Sequence, residues 1–488
     1  MTLTAPAPTT SAAEVPARRT RRWIDDWRPE EPEFWETTGR RVARRNLAWS
    51  IFAEHLGFSV WLIWSVSAAM LGASFGYTPQ QLFFLVAAPN LVGALIRVPY
   101  TFAVPRFGGR NWTIVSALLL LVPTFLYVVA VQDTSTPYWL MVLIAATAGL
   151  GGGNFASSMA NINAFYPADK KGAALGLNAA GGNIGVAVIQ FFLPIIVGAA
   201  GAFGLVKASG GIHLERAGLV YVVLALVAAV GAYLFMNNLG TATGSVRETA
   251  AVLRQRQTWV MSVLYIGTFG SFIGYSAAMP LLIKINFSLV DPGTSAVVGG
   301  INFAFYAFLG AAVGSVTRPF GGWLADRLGG ARVTIGAFVA MVAGTGAVLW
   351  TLTQLTPNKA ASAAVADRNA EWFPLFLAFF LVVFAATGIG NGSTYRMIPT
   401  IWRHQHPDTA EGRRRSTKEA SAAVGIIGSV GALGGFLIPM MFGAPWVDDP
   451  VAAVRTAFSV FIGYYVLCAL VTWAVYVRRG ARLAVAAA

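Results

Sequence analysis

Long apolar segments follow one another along almost the whole chain, separated by short polar turns, and no other feature constrains the fold as strongly. Twelve can be marked out, near 47–71, 80–104, 112–132, 138–160, 172–199, 217–236, 258–284, 297–322, 333–353, 373–395, 419–443 and 456–477. Each has about the 20 residues that a hydrocarbon core requires. Backbone groups in lipid find no water to bond, so each segment must satisfy them internally as a helix. The expected fold class is an all-α membrane protein of twelve transmembrane helices. Only 11% of the 488 residues are charged, against roughly a quarter in soluble domains. That is too little charge to coat a soluble surface of this size, so the lipid bilayer is the first partner implied.

The net charge of +14 would suggest nucleic acid in a soluble protein. Its distribution says otherwise. With the first 46 residues placed inside, 26 basic residues fall on one side of the membrane and 6 on the other, while Arg97, Arg318 and Arg396 remain within spans. This is the positive-inside pattern. It predicts a multi-pass plasma-membrane protein with both termini in the cytoplasm and no nucleic-acid partner. The expected organisation is a cytoplasmic tail over 1–46, a six-helix bundle over 47–236, a polar linker over 237–257, a second six-helix bundle over 258–477 and a tail over 478–488. The first 46 residues contain no apolar run and do not read as a signal peptide. Their cluster RRWIDDWRPEEPEFW at 21–35 suits packing on the cytoplasmic face or, alternatively, docking to a partner or the membrane surface. Cys468 is the single cysteine, which excludes an internal disulfide and a thiolate metal site. With no nucleophile, metal cluster or phosphate loop in view, neither an enzyme nor a cofactor is expected.

The two halves echo each other. GALIRVPYTFAVPRFGGRNWT from Gly93 has its counterpart in GSVTRPFGGWLADRLGGARVT from Gly314: an Arg, then a Pro, then a Gly-Gly turn with a trailing Arg. GLGGGNFASSM in helix 4 and GIGNGSTYRM in helix 10 also correspond, as do ALGLNAAGGNIG in helix 5 and AVGIIGSVGALGG in helix 11. Two parallel half-repeats describe a transporter whose site lies where the halves meet.

Arg97 and Arg318 sit well inside apolar spans. A cation at membrane depth is costly and normally faces a partner or a pathway. Acids that might pair with them are scarce, Glu54 in helix 1 and Glu419 at the start of helix 11 being the visible ones. Two guanidiniums with too few acids leave a positive excess that a mobile anion would neutralise. The guanidinium fork matches two oxygens of a small planar oxyanion, which a Lys ammonium does not. Asn154, Asn183, Asn302 and Asn391 are amides in apolar spans and need partners; Asn183, after a glycine pair, is the best placed to touch a ligand. Tyr265 and Phe269 are four apart and share a helix face. The glycines of helices 4 and 5 suit close helix packing. Glu54 and His55 are adjacent in helix 1. They form either a proton relay or, as expected here, a pairing of Glu54 with a buried arginine or a helix end.

These strings resemble the nitrate/nitrite porter (NarK/NarU) family of the major facilitator superfamily. The likeness rests on RVPYTFAVPRFGGRNWT at 97–113, QDTSTPYW at 132–139, GGGNFASSMANINAFYP at 151–167, GAALGLNAAGGNIGVAVIQ at 172–190, SVLYIGTFGSFIGYSA at 262–277 and GGWLADRLGGARVT at 321–334. It runs from about Asn46 to Val477. The resemblance implies the major facilitator fold of two six-helix pseudo-repeats. It implies a central site in which Arg97 and Arg318 hold nitrate or nitrite, with Phe155, Asn183, Tyr265, Phe269 and Phe58 in contact and Gly152 and Gly425 lining the path. It departs from the family at Ala179, Gly428 and Thr394-Tyr395-Arg396; Arg396 reads as a third buried or half-buried cation. The function implied is nitrate/nitrite antiport by a monomer. The alternatives are proton-coupled symport through Glu54 and His55, and a membrane nitrate sensor signalling through the N-terminal tail.

Overall fold

The computed structural model describes residues 22–71, 75–198, 212–240, 251–291, 297–357, 362–444, 446–447 and 449–478. The expectations for residues 1–21 of the tail, 241–250 of the linker and 479–488 of the C-terminal tail lie outside the described residues.

Eleven helices among the described residues are long and apolar enough to cross a membrane: α1 Pro32–Met70, α2 Pro79–Phe107, α3 Gly109–Ala130, α4 Tyr138–Phe165, α5 Ala168–Ile196, α6 Glu215–Phe235, α7 Arg256–Phe287, α9 Gly330–Thr353, α10 Phe373–His404, α11 Ala410–Phe442 and α12 Pro450–Val477. Between α7 and α9 lies α8, Ala307–Leu328, a helix of 22 residues. At 1.5 Å per residue α8 is about 33 Å long, enough for a core of about 30 Å. It is less apolar than the rest because it carries Arg318, Asp326 and Arg327. The chain is thus a multi-pass membrane protein, with eleven candidate spans and α8 as a twelfth helix of spanning length among the described residues. We call the side that bears residues 22–46 the N-terminal face and the other the far face.

The half-repeat seen in the sequence reappears in the backbone. Gly108 ends α2 with φ +86° and Gly329 ends α8 with φ +89°. A side chain would strain at either position, and each turn leads at once into the next helix.

Two boundaries differ from expectation. The eighth span begins at Ala307 rather than 297. Val297–Gly300 (β4) instead pairs antiparallel with Ser288–Val290 (β3) in a small far-face hairpin. Asn302 accordingly lies outside the span, where its side chain accepts from the Ala304 N–H as a cap. A short β-branched run next to glycines suits a strand as well as a helix, and hydropathy alone does not separate them. The first helix begins at Pro32, well before 47. Ahead of it, Trp23–Ile24 (β1) pairs in parallel with Asn238–Leu239 (β2). Trp27 and Trp35 are buried with Phe165, Tyr166 and Leu239. Residues 22–46 therefore pack on the N-terminal face, because their aromatic residues have an apolar surface to cover.

From the depth of Arg97 to the far face the halves are tied together. Gln190 Nε2 donates to the Ser276 carbonyl at 2.6 Å, Ser429 Oγ donates to the Ala94 carbonyl at 2.6 Å, and Phe83 meets Phe442 at 5.9 Å between ring centroids.

Candidate functional site

The site lies at the seam and begins with Arg97 on α2, which is 1% exposed. A guanidinium at this depth must be compensated, and here backbone and rings do it. Arg97 Nε donates to the Gly152 carbonyl at 3.1 Å. Nη1 donates across the seam to the Gly428 carbonyl at 3.2 Å. The rings of Trp61, Phe155 and Phe269 lie 5.3, 4.9 and 4.9 Å from its Cζ, within reach of cation–π attraction. Nη2 is buried with no hydrogen-bond partner.

Glycines on α4 make this approach possible. The segment Ala148–Gly153 is wound as a 3-10 turn inside α4, directly ahead of Phe155. A Cβ on Gly152 would come 2.8 Å from the Gly93 α-carbon, and one on Gly151 would collide with the Gly57 carbonyl. Small residues here bring α1, α2 and α4 into backbone contact and carry the Gly152 carbonyl to Arg97. Gly425 sits farther toward the N-terminal face on α11, where a Cβ would meet Thr101 Oγ1 at 2.9 Å.

Arg318 on α8 is also buried, and its Nη1 has no partner. Its Cζ lies 5.4 Å from the ring of Phe155 and 5.6 Å from that of Tyr395. Phe155 is thus shared by the two arginines, one from each half, and the buried Glu54 carboxyl lies within electrostatic reach of both. Phe155 stacks on Phe269 at 6.2 Å, Phe269 stacks on Tyr265 at 5.4 Å, and Phe58 meets Phe155 edge-on at 6.2 Å. A five-residue π-turn over Ile266–Gly270 interrupts α7 at Phe269, a distortion frequent at functional sites. The Tyr265 hydroxyl is buried without a partner, as are both polar atoms of the Asn183 amide on α5. Arg97, Arg318, Phe155, Tyr265, Phe269 and Phe58 therefore converge, with Gly152 joined through its carbonyl.

Glu54 and His55 stand differently. Glu54 is fully buried, but Oε2 accepts from Asn178 Nδ2 at 2.6 Å, and Oε1, packed on Gly182, has no partner. Glu54 thus hydrogen-bonds this amide on α5 and lies within electrostatic reach of Arg97 and Arg318 without touching either. His55 Nδ1 lies 3.1 Å from the Gly181 carbonyl. Adjacent helical residues point about 100° apart, so the pair engages two separate groups of α5. Glu419 bonds Gln255, Arg415 and His406. No ion pair among the described residues engages Arg97 or Arg318. Of the two expectations for Arg396 the structure has the half-buried one: it is half exposed and ion-paired with Asp326 near the end of α8, so it adds no buried charge to the site.

Trp61 escaped the reading of the sequence, and Tyr395 and Gly428 entered it only as departures from the family, without a place in the site. Trp61 is three residues after Phe58, on the same helix face, and its Nε1 is bonded to the Pro89 carbonyl at 2.9 Å. That spacing was the available signal. A backbone carbonyl leaves no signal at all.

Residues 50–366 match the family model of the Major Facilitator Superfamily. The Nitrate/nitrite transporter NarU of Escherichia coli (strain K12) is 36% identical to this chain, over 95% of it and 98% of the relative. The Probable nitrate/nitrite antiporter NarK2 of Thermus thermophilus is 33% identical, over 94% and 97%. The crystal structure of a D-xylose-proton symporter superposes with a TM-score of 0.59, covering 88% of this chain and 97% of that chain. At 16% identity that likeness speaks for the fold alone.

Proposed function

The chain belongs to the Major Facilitator Superfamily and, within it, to the NarK/NarU nitrate/nitrite porters, and from that premise we propose that it carries nitrate and nitrite by alternating access, with Arg97 and Arg318 clamping the anion. One observation carries the clamp. Two buried guanidiniums from equivalent helices of the two halves share the ring of Phe155, each keeps a buried N–H unpaired, and neither is ion-paired with a carboxylate. A planar oxyanion supplies the missing acceptors and the missing negative charge together, and the fork geometry suits it. The free Tyr265 hydroxyl and the Asn183 amide are further donors for its oxygens, and Phe58, Phe269, Gly152 and Gly425 shape the path around it.

The same charge argument favours antiport, the activity printed in the name of the Thermus relative. An empty site holds two guanidiniums with no carboxylate in direct contact and reorients at high cost; a loaded one gains the anion's charge and reorients readily, which couples the two fluxes. The bundles over 47–236 and 258–477 move against each other, with both termini in the cytoplasm. The protein works as a monomer in the plasma membrane, without cofactor, enzymatic activity or nucleic acid. The unpartnered Oε1 of Glu54 favours one second reading, proton-coupled symport through Glu54 and His55.

Counterflow in liposomes separates the two. Nitrite-loaded vesicles should accumulate labelled nitrate with no pH gradient. Uptake that appears only under an inward proton gradient would overturn exchange in favour of symport.

A further inference from the structure

On the lipid-facing side of α1 and α6, far from the anion site, a groove of about 330 Å³ is lined by apolar side chains, among them Trp49, Val227, Val230, Leu234 and Phe235. Gly231 opens it, leaving room for the indole of Trp49, which stacks on Phe235 at 5.4 Å and 6°. From Val223 to Leu234 the groove follows α6 for roughly 17 Å at 1.5 Å per residue. Its end at Phe235 reaches the N-terminal face, and there the surface changes character. Arg41, Arg45 and Trp49 lie at successive four-residue steps of α1, hence along one stripe. Arg22 and Arg41 are close enough to Arg45 to repel it, and Arg22 acts likewise on Arg110. Arg45 Nη2 donates to Asn237 at 2.8 Å, while its Nε is buried without a partner. Arg110 is turned onto the Tyr233 carbonyl near the end of α6 at 2.8 Å. No ion pair among the described residues engages Arg22, Arg41, Arg45 or Arg110.

An apolar trough in the membrane that ends in uncompensated cations at headgroup depth matches a molecule with a long hydrocarbon tail and an anionic head. We propose that this groove is a specific site for an anionic phospholipid, with one acyl chain lying against Trp49, Val227 and Val230 and the phosphate held by Arg41 and Arg45. A general excess of inside cations attracts anionic lipid everywhere on that face; a built site differs in retaining one lipid through detergent exchange.

Native mass spectrometry of the full-length protein, delipidated and given equal amounts of phosphatidylglycerol and phosphatidylethanolamine with the same chains, tests this. Phosphatidylglycerol should be retained at roughly 30-fold lower concentration, since Arg41 and Arg45 contribute about 1 kcal/mol each near the surface and about 1.4 kcal/mol is a factor of ten. The double variant Arg41→Gln/Arg45→Gln should lose that preference. Arg41→Gln alone, at an exposed position, should reduce it without disturbing the Arg45–Asn237 bond, so the idea stays testable if the double variant fails to fold. Val230→Trp, which fills the trough, should weaken retention of both lipids. Equal retention of the two lipids by the native chain, unchanged preference in Arg41→Gln, or unchanged retention of both lipids in Val230→Trp would overturn the proposal. Displacement of the lipid by free glycerol phosphate would overturn the acyl-chain part of it.

Discussion

Arg97 bridges the two halves of the protein through Gly428, its Nη1 donating to that carbonyl at 3.2 Å. Parting of α11 from α2 breaks this bond and frees a second N–H beside the unpaired Nη2. Position 428 is therefore where seam and site coincide. A Cβ there would lie 3.8 Å from Arg97 Nη1, an ordinary contact. Gly428→Ser should fold normally and add a hydroxyl beside the clamp. One hydrogen bond contributes about 0.5–1.5 kcal/mol, so nitrate affinity measured by calorimetry should rise by up to about tenfold. Identical affinity would remove position 428 from the site.

Arg97→Lys and Arg318→Lys keep a cation and lose the fork. A charge-assisted hydrogen bond contributes about 1.5–3 kcal/mol, so either variant should bind nitrate more weakly by about 10- to 100-fold. In Arg97→Lys one ammonium cannot serve both the Gly152 and Gly428 carbonyls as the guanidinium does. Native counterflow rates at low nitrate in either variant would sink the two-arginine clamp.

Phe155→Leu keeps an apolar side chain and removes the ring that both guanidiniums face. Each buried cation–π contact contributes about 1–2 kcal/mol, so the melting temperature should fall and anion binding should weaken. Phe58→Leu is the comparison, because Phe58 touches Phe155 and Trp61 rings but faces neither guanidinium. A smaller loss of anion binding is expected there. Equal losses in the two variants would mean that Phe155 is only packing.

Glu54→Gln preserves the shape and the acceptor for Asn178 while removing the exchangeable proton. Under antiport, nitrate/nitrite counterflow should persist within about twofold of native, since less than 0.5 kcal/mol is at stake. Abolition of gradient-driven uptake, with exchange intact, would assign Glu54 to proton coupling.

Gly151→Ala should be severely destabilising, because its Cβ would enter the Gly57 carbonyl between α1 and α4. Overpacking commonly costs 1–3 kcal/mol, and backbone cannot move aside as a side chain does. Gly176→Ala, with nothing within 4 Å of the new atom, should melt within error of the native protein. Thermal melting in detergent measures both.

Much of this was legible from residue types alone. Apolar length and the cost of unbonded backbone in lipid required helices, and charge asymmetry together with the echo of Arg97 in Arg318 required two related halves. The arginines announced themselves because a cation at membrane depth has no cheap explanation. Where the sequence misled, the signal was local and ambiguous. Val297–Gly300 has the apolarity of a helix end but pairs as a strand. Arg396 read as buried or half-buried, and only Asp326, seventy positions away, decides between the two by holding it in a half-exposed ion pair.

The sequence by itself determined the spans, their pairing into half-repeats and the two guanidiniums at membrane depth, since hydropathy, charge and donor geometry are properties of the residues. The tertiary structure alone decided what compensates those guanidiniums. The carbonyls of Gly152 and Gly428, the shared face of Phe155 and the diversion of Glu54 to Asn178 depend on which helices lie side by side. A backbone carbonyl has no residue type to betray it, and a ring becomes a cation's partner only when packing turns its face inward.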